Sequence, residues 1–308
     1  VTVHVDDLIL LTETEEETTD LKTSLANHFK MKDMGVLHYC LGVGVDIKDG
    51  VLQISQEQYI GKVLRKYKLQ DCKTVSTPMG LSVKLVKDDG YSKPVNTVQY
   101  QSMVGSLIYA AIATPPDIAH AVATLAKFNS SPTAFFGILK GTANLRLQYR
   151  ETDGNMEGYS DADWASDSDD RRSTSGNVFV MSGGAISWTS KKRPTVALST
   201  SESEYIAICS ATQEAVWLRQ LMKDLQLDCT AATTIHEDNQ GTIVMSKNPV
   251  LHKRTKYIDI KYHFVREKTQ DGSVELKYCP TNDMVADIFT KPLPKGQFEY
   301  LRCKLGLI

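Results

Sequence analysis

The residues able to carry chemistry in this sequence are carboxylates. Asp161 lies in Tyr159-Ser160-Asp161-Ala162-Asp163-Trp164, Asp238 in His236-Glu237-Asp238-Asn239, and Asp287 in Val285-Ala286-Asp287-Ile288; Glu204 stands near the start of a long periodic segment. Each has a structural reading. Asp161 could open a turn, Asp238 could cap a helix, and Asp287 could be an exposed helical residue; singly, those readings prevail. Four carboxylates brought to one point would instead repel and raise one another's pKa. Hard divalent cations relieve such crowding, and an all-oxygen site suits Mg²⁺ or Mn²⁺. Two such ions can flank a scissile phosphate, one activating water and the other stabilising the leaving oxygen.

The elements that must position these groups are legible from periodicity. Glu204, Ile208, Ala211, Ala215, Leu218, Met222 and Leu225 lie on one face of a helix predicted from about Ser201 to Leu225. That face is apolar except at Glu204. Either Glu204 is a core-facing carboxylate in need of a partner or metal, or it sits in an exposed first turn that suits the helix dipole; spacing leaves both open. Ser199 and Glu202 fit a capping box. Strands are predicted at Met156–Asp161, Val178–Met181, Ala185–Ser190, Thr233–Glu237 and Val274–Tyr278, with a short helix after Asp238 and helices after the fifth strand. This order predicts an α/β unit with a mixed sheet. If its neighbouring strands end together, Asp161 and Asp238 meet near the start of the long helix.

The first half reads differently. Val1 to Leu11 predicts a β-hairpin with Asp6 and Asp7 at the turn. Glu13–Lys32 predicts an amphipathic helix, Val36–Ile54 two or three strands broken at Gly42, Gly44 and Asp49-Gly50, and Tyr59–Lys68 a helix. Thr77–Pro94 reads as a linker, and Tyr100–Phe128 as helical, broken at Pro115-Pro116.

Several motifs are similar to the ribonuclease H domain of copia-type retrotransposons. They are Gly158 to Ala165, Asp169 to Gly176, Ile186 to Lys192, Ser201-Glu202-Ser203-Glu204-Tyr205, Glu237-Asp238-Asn239-Gln240, Lys256 to Glu267, and Ala286 to Leu293. The resemblance implies that Asp161, Glu204, Asp238 and Asp287 are the catalytic, metal-binding carboxylates, holding two Mg²⁺ ions for which Mn²⁺ substitutes. It implies hydrolysis of the RNA strand of an RNA–DNA hybrid. Such a hybrid shows 2′-hydroxyls on one strand only, so the RNA can be chosen without reading bases. By position, Ser160, Asn239 and Gln240 are candidate contacts to the hybrid, and the basic turn Lys191-Lys192-Arg193 a candidate holder of DNA phosphates; a solvated surface role is the alternative for each.

The resemblance extends upstream. His4-Val5-Asp6-Asp7 resembles the Asp-Asp turn of reverse transcriptases, with His4 where Tyr is usual. Met34 to Val45 resembles the primer grip, and Tyr100 to Val122 the thumb and connection. Pro132 to Gly141 is shorter than the family's usual helix there, and Tyr257 replaces a common His. Polymerase chemistry needs a further aspartate from a preceding strand, and none lies within these residues, so Asp6 and Asp7 are expected to be a remnant without polymerase activity. The expected architecture is a partial palm remnant with primer-grip region (1–80), a shortened thumb/connection segment (81–152), together α+β, and a ribonuclease H-like domain with a mixed five-stranded sheet (153–308). A catalytically inactive remnant that folds and binds nucleic acid is the alternative. Expected partners are an RNA–DNA hybrid and upstream parts of the same polyprotein; the expected setting is intracellular, a cytoplasmic virus-like particle with nuclear passage of the element.

Composition limits the other classes. The formal net charge is −2, so nucleic-acid binding must use local basic patches such as Lys191 to Arg193 or Lys253, Arg254, Lys256 and Lys261. The six cysteines include no C-x-x-C pair, which argues against a zinc ribbon and fits a reducing compartment. No apolar run approaches the ~20 residues that span a bilayer, so no membrane partner is expected. The chain opens at Val1 within a strand-like segment, as expected for a fragment or processed product.

Overall fold

The computed structural model describes residues 1–81, 85, 96–129, 141–152, 154–247 and 259–308. Most of the expected linker, nearly all of the shortened stretch from Pro132, and Lys253, Arg254, Lys256 and Tyr257 lie outside the described residues.

In the first half, strands β1 (Thr2–His4) and β2 (Asp7–Ile9) form a two-stranded antiparallel sheet. The two-residue turn holds only Val5 and Asp6. Asp7 opens β2 opposite His4, so the expectation of both aspartates in the turn is corrected. Helix α1 (Glu15–His28) is capped by Thr14, whose hydroxyl accepts from Glu17 N at 3.2 Å, but it has no fully buried residue. Strands β3 (Tyr39–Cys40), β4 (Val43–Lys48) and β5 (Val51–Ser55) form a meander. Its turns, Leu41-Gly42 and Asp49-Gly50, have positive φ at both residues, the pattern that matches strand twist in two-residue hairpins. Helices α2 (Glu57–Lys66), α3 (Thr97–Ala113) and α4 (Ala119–Ala126) enclose a core including Ile60, Leu64, Tyr100, Val104, Ile118 and Leu125. Pro116 cannot continue α3, and a 3₁₀ turn at Pro116–Ile118 redirects the chain into α4.

The second half holds the expected five-stranded mixed sheet. Strand β6 (Leu147–Arg150) comes first and pairs with β5, adding a fourth strand to the β3-β4-β5 meander. The 81–152 segment therefore completes a sheet begun within 1–80. Then follow β7 (Glu157–Asp163), β8 (Thr174–Met181), β9 (Gly184–Lys192), α5 (Thr200–Asp224), β10 (Thr233–Glu237), α6 (Gln240–Lys247), α7 (Asp259–Gln270), β11 (Val274–Tyr278) and α8 (Lys295–Lys304). The strand order is β11-β10-β7-β8-β9. β7 to β9 run antiparallel and β10 and β11 parallel to β7. β8 and β9 extend further than their apolar cores predicted, because Thr174 to Asn177 pair fully despite their polarity.

Alternation along β8 divides the two faces. Phe179 packs with Ile208, Ala211, Ala215, Ile235 and Leu276 under α5, while Val178 packs with Phe289, Leu301 and Leu305 on the side of α8. The same second cluster takes in Leu147, with Ala119 and Ile54 against it, so the halves share apolar contacts. Trp188 adds a specific tie, donating its Nε1 hydrogen to the Ala111 carbonyl at 2.7 Å.

Candidate metal centre

Register explains why distant carboxylates meet. β10 runs parallel to β7 with His236 beside Tyr159. Continuing that register by two residues sets Asp238 level with Asp161. Glu204 reaches the same end of the sheet from the first turns of α5. That helix starts where expected: Ser199 accepts from Glu202 N at 3.2 Å, and Glu202 accepts in return from Leu198 N at 2.8 Å, one residue before the cap. Of the two readings of Glu204, the buried one holds; it is 8% exposed, above the apolar row Ile208, Ala211, Ala215 and Leu218. Ligand oxygens of Asp161, Glu204 and Asp238 all lie within 4.8 Å of one another.

Asp287 arrives from the opposite side, in a 3₁₀ turn at Val285–Phe289 that lies across β7 and β8. Gly176 makes this approach possible. It is the register partner of Asp161, and a Cβ there would stand 2.6 Å from the Phe289 Cβ and 2.9 Å from the Thr290 Cγ2. The Thr290 hydroxyl donates to Asp161 Oδ2, and the Thr281 hydroxyl to Asp238 Oδ2 at 2.8 Å. Lys291 Nζ lies 2.9 Å from Asp287 Oδ1 and 3.8 Å from Asp161 Oδ1.

The crowding has the expected electrostatic effect. Burial, and then the nearby Glu237, Asp161 and Asp238, push Glu204 up to about 11. Burial and Asp161 raise Asp287 to about 7 against the pull of Lys291. Burial also raises Asp161, with Lys291 and Thr290 opposing. Glu204 Oε2 is buried without a hydrogen-bond partner. An all-oxygen donor set holding an unsatisfied buried carboxylate oxygen is compatible with a hard divalent cation.

Glu237 was not singled out from the sequence. It is 0% exposed beside this cluster, its Oε1 accepting from Asn239 N at 3.2 Å and its Oε2 without a partner. The period-two alternation with Ile235 could have flagged it as inward-facing. Thr290 and Lys291 also escaped, though Lys291 falls one helical turn after Asp287.

The expected nucleic-acid contacts fare differently. Ser160 is 0% exposed within the sheet, so the expectation that it touches a duplex is corrected: alternation turns it into the core. Lys191 and Lys192 belong to β9 rather than to a turn. Lys192 pairs with Asp167 at 2.7 Å and Asp170 at 2.9 Å, and Arg193 donates to Ser175 Oγ at 2.6 Å and the Ile206 carbonyl at 3.0 Å. Of the three, Lys191 is the exposed one. Asn239 caps α6 by accepting from Thr242 N at 3.1 Å, and Gln240 is exposed at its start. Asp6 and Asp7 are exposed and lie outside the carboxylate cluster.

Comparison with known proteins covers nearly the whole chain. Residues 1–81 match the family "Reverse transcriptase (RNA-dependent DNA polymerase)". The chain is 36% identical over 323 residues to the Retrovirus-related Pol polyprotein from transposon TNT 1-94 of Nicotiana tabacum, covering 99% of this chain and 24% of that protein. It is 36% identical over 319 residues to the corresponding polyprotein from transposon RE1 of Arabidopsis thaliana, covering 99% of this chain and 21% of that protein. The chain thus spans less than a quarter of the length of these curated relatives. Among solved structures, LC11-RNase H1 in complex with RNA/DNA hybrid matches with a TM-score of 0.34 at 13% identity, over 44% of this chain and 94% of that one. A foamy viral protease-reverse transcriptase in complex with double-stranded DNA matches with a TM-score of 0.39 at 12% identity, over 77% and 38%.

Proposed function

The chain belongs to the copia-type family of retrotransposon Pol polyproteins, and from that premise we propose that residues 153–308 hydrolyse the RNA strand of an RNA–DNA hybrid during reverse transcription. The observation that carries this reading is the convergence of Asp161, Glu204 and Asp238 within 4.8 Å, with Asp287 joined to Asp161 through Lys291. These four would hold two Mg²⁺ ions, or Mn²⁺ in their place. Bound there, such ions supply the means to activate water and to neutralise charge on the leaving oxygen.

The protein's own groups set the geometry. Thr290 fixes one oxygen of Asp161, and Thr281 fixes one oxygen of Asp238. Asp161 lies within β7, two residues before its end, and Asp238 directly follows β10, so their separation is held by register rather than by a long loop. Glu204 is held by a long helix whose apolar row is locked under the sheet. The exposed Lys191 and Gln240 remain as candidate contacts to the hybrid, with Asn239 beside them. Upstream parts of the same polyprotein are the proposed protein partners, because polymerase chemistry needs a palm that Asp6 and Asp7 alone do not make.

The second reading is a folded remnant that binds nucleic acid without turnover. It is favoured by the engagement of Lys192 and Arg193 with protein partners, which leaves fewer cations for phosphates. An end-labelled RNA–DNA hybrid incubated with the chain in Mg²⁺, Mn²⁺ or chelator separates the two. Metal-dependent cleavage that is lost in Asp238→Asn supports the first reading. Folded protein that retains the hybrid but leaves the RNA intact supports the second.

A further inference from the structure

The carboxylate cluster is electrostatically two-sided. Among the described residues, neither Glu204 nor Asp238 has an ion-pair partner, and their ligand oxygens crowd Asp161 within 4.8 Å. On the other side, Lys291 Nζ stands between Asp287 Oδ1 at 2.9 Å and Asp161 Oδ1 at 3.8 Å. Its backbone is fixed as well, because Lys291 N donates to the Asp287 carbonyl at 3.2 Å. Thr290, the preceding residue, takes the other oxygen of Asp161. The Thr290-Lys291 pair therefore brackets both oxygens of a carboxylate that is 3% exposed, and the lysine side chain is itself 33% exposed.

An ammonium group in that position neutralises the same two carboxylates that a cation bridging Asp161 and Asp287 would use. We propose that Lys291 is a built-in counter-ion that leaves the Asp161–Glu204–Asp238 side open to a first divalent ion and must be displaced before a second ion can bridge Asp161 and Asp287. This rests on the metal-centre reading above and deepens it by assigning an order of filling. Lys291 acts here as a positioning residue through Asp161 and Asp287. In the metal-free protein it holds those carboxylates together; during loading it opposes the second ion by charge and by occupancy. Its flexible four-carbon stem and compact point charge suit such displacement better than a planar guanidinium would.

The test is Mn²⁺ binding to the full chain, followed by calorimetry and by the electron paramagnetic resonance of free Mn²⁺, with no nucleic acid present. Wild-type protein is expected to bind two ions in separate steps. Lys291→Met should tighten the second step by roughly tenfold or more, the loss of a full unit charge a few ångströms away, and change the first step much less. Lys291→Arg should keep the second step weak. Lys295→Met, which removes an exposed charge paired with Glu299 at 3.8 Å, controls for net charge and should change neither step. Should Lys291→Met fail to fold, the side-chain ammonium resonance of Lys291 in the wild type, assigned by its loss in Lys291→Arg, should shift with the second Mg²⁺ equivalent and not the first. A shift with the first equivalent overturns the proposal. So does a second step unchanged in folded Lys291→Met. Absence of any bound Mn²⁺ in the wild type would overturn the metal centre itself, a distinct result.

Discussion

Gly176 is the cross-strand partner of Asp161, and the space where its side chain would be is filled by Phe289 and Thr290. The turn that delivers Asp287, Thr290 and Lys291 can approach only because β8 carries no Cβ at this point. Gly176→Ala is therefore predicted to lift the turn off the strand. Overpacking of this kind costs about 1–3 kcal/mol. Thermal unfolding should show that loss, and Mn²⁺ affinity should fall with it because Asp287 moves away from Asp161. A variant with unchanged stability and unchanged affinity would refute the argument.

Glu204→Gln should separate stability from activity. The buried carboxylate faces Asp161, Asp238 and Glu237 and has an unsatisfied oxygen. At neutral pH the metal-free fold must protonate this carboxyl, which the unfolded chain leaves ionised; a neutral amide removes that cost, so the metal-free protein should gain on the order of 1 kcal/mol, as at sites that trade stability for function. The same variant should lose the stabilisation that Mg²⁺ gives the wild type. Denaturant unfolding with and without Mg²⁺ measures both. Loss of stability in chelator would show that Glu204 is held by contacts rather than strained.

Metal affinity should rise with pH. Glu204 is raised to about 11 and Asp287 to about 7, so near neutrality the empty site retains protons that a cation must expel. Mn²⁺ binding measured from pH 6 to pH 8.5 should tighten throughout and release protons to the buffer. Affinity independent of pH would mean that the carboxylates are already ionised.

Asp117 and His120 predict a hidden pH dependence. Burial, opposed by Arg302, raises Asp117 from 3.8 to about 7; burial and then Lys127 lower His120 from 6.5 to about 4. The raised carboxyl contributes stability that is full below pH 3.8 and lost as pH rises through about 7. The depressed imidazole contributes stability that is full above pH 6.5 and lost as pH falls through about 4. At about 1.4 kcal/mol per pKa unit the two contributions, on the order of 4 kcal/mol for Asp117 and 3 kcal/mol for His120, oppose and largely cancel between pH 4 and 6.5. Glu204 and Asp287 tilt the wild-type curve downward over the same range, so the signal is the difference from wild type. Between pH 4 and 6.5 Asp117→Asn should tilt stability toward climbing with pH, and His120→Gln toward a steeper fall. Parallel slopes in all three proteins would contradict the assignment.

Much of the second half was legible because burial imposes a period. The face from Glu204 to Met222 and the strands at Thr233–Glu237 and Val274–Tyr278 follow the apolar pattern directly. The four carboxylates stood out through family resemblance, since each is locally indistinguishable from a cap or turn residue. The burial of Ser160 is not legible from its place near a predicted strand end, because alternation sends it to the opposite face from Asp161. The intramolecular partners of Lys192 and Arg193 were not legible, because basic residues in sequence do not reveal Asp167, Asp170 or the Ile206 carbonyl waiting for them. β6 went unrecognised because four residues, Leu147–Arg150, carry too little pattern to announce a strand whose partners are remote.

That short strand has a consequence for how the chain acquires its structure. β6 is bonded on one side to Val51–Ile54 and on the other to the backbone near Gly306 and Ile308, with Gln148 N donating to the Gly306 carbonyl and Arg146 exchanging two bonds with Ile308. Pairings between residues so far apart carry a large loop-closure cost and form slowly. During synthesis the meander at Val43–Ser55 must wait with an open edge until Leu147 emerges, and the seam closes only once Gly306 to Ile308 have followed. The two halves are thus stitched by residues far downstream of the meander, which gives chaperones a defined interval in which that open edge needs cover.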